Sequence, residues 1–176
     1  MLIIFEGPDR CGKTEIANEL GRILKIPVYK SGREAEIFHD PDAQYLSLKW
    51  ANYEMIKLLE TTGADVIFDR FFPSEWVYAQ VFERRTDLDL IKEYDAWVAS
   101  MGAKIIWCDK PIMDGEDELV PASKYNELRD KYFDYMKNSL CDILYLNTSD
   151  HNLDAQVNEI YQFVMTKFTI NDGVKK

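Results

Sequence analysis

The sequence predicts a three-layer α/β fold, a five-stranded parallel sheet flanked by helices, and three observations carry that expectation. Apolar runs recur at residues 2–5, 27–29, 66–68, 104–107 and 143–146; each is too short for a typical helix and rich in β-branched or aromatic residues. Helical stripes lie between them, with Ile91, Tyr94, Val98 and Met101 forming one and Leu153, Val157, Ile160, Tyr161, Val164 and Phe168 another. No repeat or long linker divides the 176 residues, and 47% hydrophobic content supplies one core, so residues 1–170 read as a single domain. Strands alternating with helices imply right-handed crossovers, with ligands at the carboxyl ends of the strands.

The first run is stopped by Glu6 and preceded by no basic residue, so it reads as a strand and not as a secretory signal or membrane span. The chain is therefore expected in the cytoplasm. After it comes Gly7-Pro8-Asp9-Arg10-Cys11-Gly12-Lys13-Thr14, which fits GxxxxGK[ST] and runs into a helical stretch at residues 15–24. Glycines let backbone N–H groups close around phosphate oxygens, the helix N-terminus favours anions, Lys13 adds a point charge, and Thr14 can ligate Mg²⁺. The implied ligands are ATP and Mg²⁺, with Gly7, Asp9, Arg10, Cys11, Gly12, Lys13 and Thr14 forming the cradle. Cys11 beside Lys13 is in a setting that lowers a thiol pKa.

The second strand leads into residues 30–36. A phosphate acceptor meeting that segment needs a cation such as Arg33, whereas a hydroxyl acceptor benefits from a carboxylate such as Glu34 or Glu36; both types are present. The aromatics Tyr45, Trp50, Tyr53, Phe71, Phe72, Trp76 and Tyr78 follow, mostly as core, with Phe71 and Tyr78 as stacking candidates.

The third strand ends in Asp69-Arg70, placing a carboxylate and a guanidinium beside the phosphate loop. Asp69 can hold magnesium through water, and Arg70 can neutralise charge on a transferring phosphoryl group. Asp109, which also ends an apolar strand, is the rival magnesium acid.

Together, Phe5-Glu6-Gly7-Pro8-Asp9-Arg10-Cys11-Gly12-Lys13-Thr14 and Asp69-Arg70-Phe71-Phe72-Pro73-Ser74, with Tyr78 following, resemble the thymidylate kinase family and its DR(F/Y)xxS signature. The resemblance implies a P-loop kinase fold with a short lid, here about residues 110–121. It implies acceptor contacts at Phe71, Ser74 and Tyr78, a hydrogen bond from the acceptor's 3′-hydroxyl to Asp9, and leaves a homodimer open. One class of the family carries Arg in the phosphate loop and none in the lid, as Arg10 and the Arg-free lid segment do here. That segment carries Asp114, Glu116, Asp117 and Glu118, read as a solvated flap. The family places Gln directly after the residue matching Tyr78, whereas Ala79 intervenes before Gln80 here, so the base contact departs from the pattern.

The fifth strand, the last helix and a short tail at 171–176 complete the chain. Three scattered cysteines and two histidines, His39 and His151, match no disulfide framework, metal cluster or triad. A net charge of -10 counts against a broad nucleic-acid surface and leaves a small nucleotide acceptor as partner. The leading expectation is a kinase making a deoxynucleoside diphosphate from a thymidylate-like monophosphate. The alternatives are a kinase of a hydroxyl acceptor (a deoxynucleoside 5′-hydroxyl, or a hydroxymethyl pyrimidine free or in DNA) and an ATP-binding sensor without turnover.

Overall fold

A computed structural model describes residues 1–31, 40–112 and 120–166. Its order is β1 (Leu2–Glu6), α1 (Lys13–Leu24), β2 (Val28–Lys30), α2 (Pro41–Thr62), β3 (Val66–Asp69), α3 (Phe72–Val81), α4 (Leu88–Ser100), β4 (Lys104–Asp109), α5 (Ala122–Asn138), β5 (Asp142–Asn147) and α6 (Leu153–Met165). The strands form one sheet in the order β2-β3-β1-β4-β5, and every pairing is parallel. All five expected strands are present. β4 runs two residues past its apolar stretch, so Asp109 belongs to the strand.

Strand geometry divides the core in two, because successive side chains point to opposite faces. Leu2, Ile4, Val66, Phe68 and Ile105 meet Ile56 and Leu59 of α2, Phe72 and Val77 of α3, Ile91 and Val98 of α4, and Leu128 and Tyr132 of α5. Ile3, Phe5, Ile67, Ile106 and Leu146 meet Ile16, Ala17 and Leu20 of α1 and Val157, Ile160 and Val164 of α6. The sheet is thus a middle layer covered on both faces. Each large apolar side chain so buried contributes roughly 1.5–3 kcal/mol. Met101, the C-cap of α4, is partly buried and packs against the same core as Ile91, Tyr94 and Val98, and Phe168 lies outside the described residues.

This topology locates the functional end. β1 is central, and the chain builds first to one side of it, through β3 and β2, and then to the other, through β4 and β5. The crossovers part at the carboxyl end of β1, which makes that point the binding crevice of an open α/β sheet. Helices α2, α4 and α6 begin with side-chain caps from Asp40, Asp87 and Asn152. The N-terminus of α1, in that crevice, has no side-chain cap, and the first N–H groups of a helix so placed suit an anion. Of the expected lid, residues 113–119 lie outside the described residues, the four acidic side chains included.

Candidate active site

The loop between β1 and α1 owes its shape to glycine at two positions. Gly7 has φ +138°, and a Cβ there would sit 1.9 Å from the Cys108 carbonyl oxygen of β4, so no other residue fits without moving the sheet. Gly12 starts α1 at φ +74°. Arg10 is exposed and has φ +63° without being glycine, an uncommon conformation concentrated in turns and functional loops. Lys13 folds back over the loop and its Nζ donates to the Pro8 carbonyl, which also accepts from Cys11 Sγ at 2.9 Å. Burial, and then the nearby Arg70 guanidinium, hold the Lys13 ammonium below its ordinary pKa. Cys11 corrects the sequence expectation: burial raises its thiol pKa, and Lys13 and Arg70 only partly offset this.

Pairing of Phe5 with Asp69 sets the end of β3 beside the loop. Asp69 is 3% exposed, and Thr14 Oγ1 donates to its Oδ2 at 2.6 Å. These are hard oxygen donors of the kind that holds magnesium together with nucleotide phosphates. Asp109 is occupied differently. Arg129 grips it with a two-pronged fork, Nε to Oδ1 at 2.6 Å and Nη2 to Oδ2 at 2.7 Å, and the Tyr145 hydroxyl donates to Oδ2 at 3.0 Å. A bidentate charge-assisted pair of this kind is strong and directional.

Arg70 occupies the turn after β3 at φ +70°. Its Nη2 donates to Asp9 Oδ1 at 2.6 Å and to the Tyr78 hydroxyl at 3.1 Å, and Tyr78 donates to Asp9 Oδ2 at 2.6 Å. Burial raises the Asp9 pKa, but Arg70, the Tyr78 hydroxyl and Lys13 together outweigh it and hold Asp9 below its ordinary value. Its carboxylate is a weak base. Arg70 Nη1 faces inward, donating to Tyr132 Oη at 2.8 Å and Ser74 Oγ at 3.0 Å.

Behind this pair lies Glu6, fully buried, whose Oε1 accepts from the Phe71 N–H at 2.8 Å and whose Oε2 accepts from Ser74 Oγ at 2.6 Å and Tyr132 Oη at 3.2 Å. Burial pushes the Glu6 pKa up, against Arg70, Ser74 and Phe71, which lower it.

The structure therefore gathers Asp9, Lys13, Thr14, Asp69, Arg70, Ser74 and Tyr78 around one loop. Ser74 turns inward to Glu6. Phe71 packs into the core, stacked on Phe68 with centroids 4.1 Å apart. Gln80 donates to the Trp76 carbonyl of its own helix at 2.8 Å. Trp50 and Tyr53 are exposed on α2. Arg33, Glu34 and His39 lie outside the described residues, and His151 is 3.0 Å from Lys110 Nζ.

Sequence reasoning missed Glu6, Arg129 and Tyr132 as members of this constellation. One signal was available: Tyr125, Arg129, Tyr132 and Tyr135 follow helical spacing on one face of α5. All four end on a polar group of a neighbouring element, namely the Lys110 carbonyl and Asp109 at the end of β4, Glu6 of β1 and Asp95 of α4.

No protein-family model and no curated protein sequence matches the chain; the likeness to known proteins lies in the fold. The YorR protein of Bacillus subtilis, solved in complex with phosphorylated GDP, is similar at a TM-score of 0.70 and 22% identity, covering 93% of this chain and 95% of that one. Thymidylate kinase from Ehrlichia chaffeensis is similar at a TM-score of 0.67 and 18% identity, over 94% and 98% of the two chains. Deoxyadenosine kinase from M. mycoides with bound dATP is similar at a TM-score of 0.63 and 13% identity, over 94% and 100%. With its phosphate loop at the carboxyl end of the central strand of a 2-3-1-4-5 parallel sheet, the chain has the fold of the P-loop nucleoside and nucleotide kinases.

Proposed function

We propose that this protein is an ATP- and Mg²⁺-dependent phosphotransferase acting on a deoxynucleoside monophosphate, thymidylate-like in its base, to make the diphosphate. The observation that carries the reading is the convergence of the loop from Gly7 to Thr14, the Thr14–Asp69 pair and the Asp9–Arg70 pair at one strand end. Loop N–H groups, the α1 N-terminus and Lys13 bind the donor phosphates. Thr14 and Asp69 would hold magnesium, which would offset the charge of the donor phosphates when bound. Arg10 and Arg70 place guanidinium forks where charge builds on the moving group. Asp9 orients the acceptor sugar, the role its family counterpart implies.

Among the described residues a phosphate acceptor fits better than a hydroxyl. A hydroxyl must lose a proton to a base, but Asp9 is held below its ordinary pKa and Glu6 is buried under three donors, while Glu34 and Glu36 lie outside the described residues; an acceptor phosphate is already ionised. The likeness to deoxyadenosine kinase favours the second reading, a nucleoside hydroxyl acceptor. The test is incubation with Mg-ATP and a panel of nucleosides, monophosphates and modified DNA, followed by product separation. A diphosphate from a pyrimidine monophosphate supports the proposal. Monophosphate formed only from nucleosides moves the acceptor to a hydroxyl, and no product from any acceptor leaves a nucleotide-binding sensor.

Acid pH separates the acceptors further. With a monophosphate, kcat/KM should fall as the acceptor's second ionisation is reversed near pH 6. Asp9 adds no limb there, since it stays ionised to below its ordinary 3.8. A profile flat between pH 5 and 8 would count against a phosphate acceptor.

The two strand-end acids should also part company. Asp69→Ala should lower kcat about 10²–10³-fold, the range for loss of one group supporting transition-state charge. Asp109→Ala should instead lower the unfolding temperature, because it removes the bidentate pair with Arg129 and the hydrogen bond from Tyr145. Near-native turnover in Asp69→Ala with none in folded Asp109→Ala would reverse the assignment.

A further inference from the structure

We propose that Tyr132 is a positioning residue whose hydroxyl holds Arg70 in place for phosphoryl transfer by joining it to the buried Glu6 carboxylate; the inference rests on the role given to Arg70 above. The two halves of the guanidinium have different surroundings. Nη2 faces the phosphate loop and meets Asp9, whose side chain is 32% exposed. That half can trade a contact for a phosphoryl oxygen. Nη1 faces inward and, among the described residues, donates to two hydroxyls, Tyr132 Oη and Ser74 Oγ, each of which also touches Glu6 Oε2. Glu6 can accept from both hydroxyls while both accept from Arg70, so one buried anion fixes the inner half of the fork through two neutral bridges. A direct ion pair would need the guanidinium to sink toward Glu6 and leave the loop.

The bridge is built from distant segments. Glu6 ends β1 next to Gly7, Ser74 lies in the first turn of α3, and Tyr132 comes from α5, 62 residues from Arg70. Tyr132 is fully buried, with an oxygen and ring fixed among Glu6, Ser74 and Tyr78. Arg70 itself sits at a positive φ, so the turn beneath it does not select its side-chain direction by ordinary local preference. Packing against the bridge does. Without the phenol, Nη1 keeps only Ser74, and a fork displaced by about 1 Å can cost about 10² in rate.

The test is a double-mutant cycle. Tyr132→Phe should lower kcat about 10²-fold with the ATP dissociation constant unchanged within about twofold. In an Arg70→Ala background the same substitution should cause no further loss, because the group it positions is gone. Reactions are followed long enough to read losses of about 10⁴-fold. Equal losses in both backgrounds, a wild-type kcat in Tyr132→Phe, or failure of Tyr132→Phe to fold would each overturn the inference and make the hydroxyl structural. Full turnover in Arg70→Ala alone is a different failure: it would overturn the role of Arg70, and this inference with it.

Discussion

Lys13→Ala lowers kcat about 10²–10³-fold while the protein unfolds at the same temperature or higher. The two halves of this result have one cause. Lys13 is an ammonium buried within the loop, its charge disfavoured first by desolvation and then by Arg70, and its Nζ donates to the Pro8 carbonyl. A polyphosphate in the loop supplies the missing anion and draws the pKa back up, so the cost of holding the charge in the free protein becomes binding energy in the complex. Alanine removes both. The sign with pH follows from linkage. The folded pKa lies below the ordinary 10.5, so the unfolded chain binds the extra proton, and stability rises as pH climbs from the folded value toward 10.5. The stability gap in favour of the alanine variant should therefore be widest below the folded pKa and narrow toward pH 10.5. Single-turnover kinetics and thermal unfolding between pH 7 and 10 measure the two halves. Wild-type turnover in Lys13→Ala would remove the loop from catalysis. A large drop in its unfolding temperature would show that the ammonium stabilises the free protein.

Hydrophobic pattern made the sheet legible, because parallel strands covered on both faces are near-continuous apolar runs. The same rule hid the site's foundations. Glu6 looks like the residue that stops β1, yet it is the last residue of the strand and fully buried; a buried carboxylate is readable only from its partners, which lie 65 to 126 residues away. Arg129 and Tyr132 were silent for a related reason. α5 is polar in composition, and its buried stripe of Tyr125, Leu128, Tyr132, Tyr135 and Met136 is largely phenolic, so apolar periodicity underweights it. Asp69 and Arg70 were legible because position alone marks them, at the end of a strand whose neighbour delivers the phosphate loop. Asp109 has the same local signature and was open as a rival for that reason. What separates the two is Arg129, brought in by α5, the helix that carries the chain from β4 over to β5. The thiol of Cys11 went the wrong way in the sequence reading because proximity to Lys13 was visible and burial was not.

Arg10→Gly should leave a folded, ATP-binding protein whose kcat is lower by about 10³-fold or more. Glycine is chosen because the backbone at residue 10 has φ +63°, where a side chain costs roughly 1–2 kcal/mol and glycine costs nothing. The substitution thus relaxes the loop while deleting the guanidinium, so stability and turnover should move in opposite directions. Arg10→Lys keeps the charge and the strained backbone but replaces a fork that can hold two phosphoryl oxygens with a point charge; it should recover part of the lost rate. The charge is expected to act on the transferring group, where it is needed only as bonds change, so ATP affinity should shift far less than kcat. Arg70 is held on both sides by Asp9, Ser74, Tyr78 and Tyr132, and Arg10 lies exposed on the phosphate loop itself. Steady-state kinetics with the best acceptor, calorimetric ATP titration and thermal unfolding of the three proteins read the outcome. Unchanged kcat in Arg10→Gly would pass the catalytic charge to Arg70 and Lys13. A parallel fall in kcat and ATP affinity would make Arg10 a binding residue for the donor.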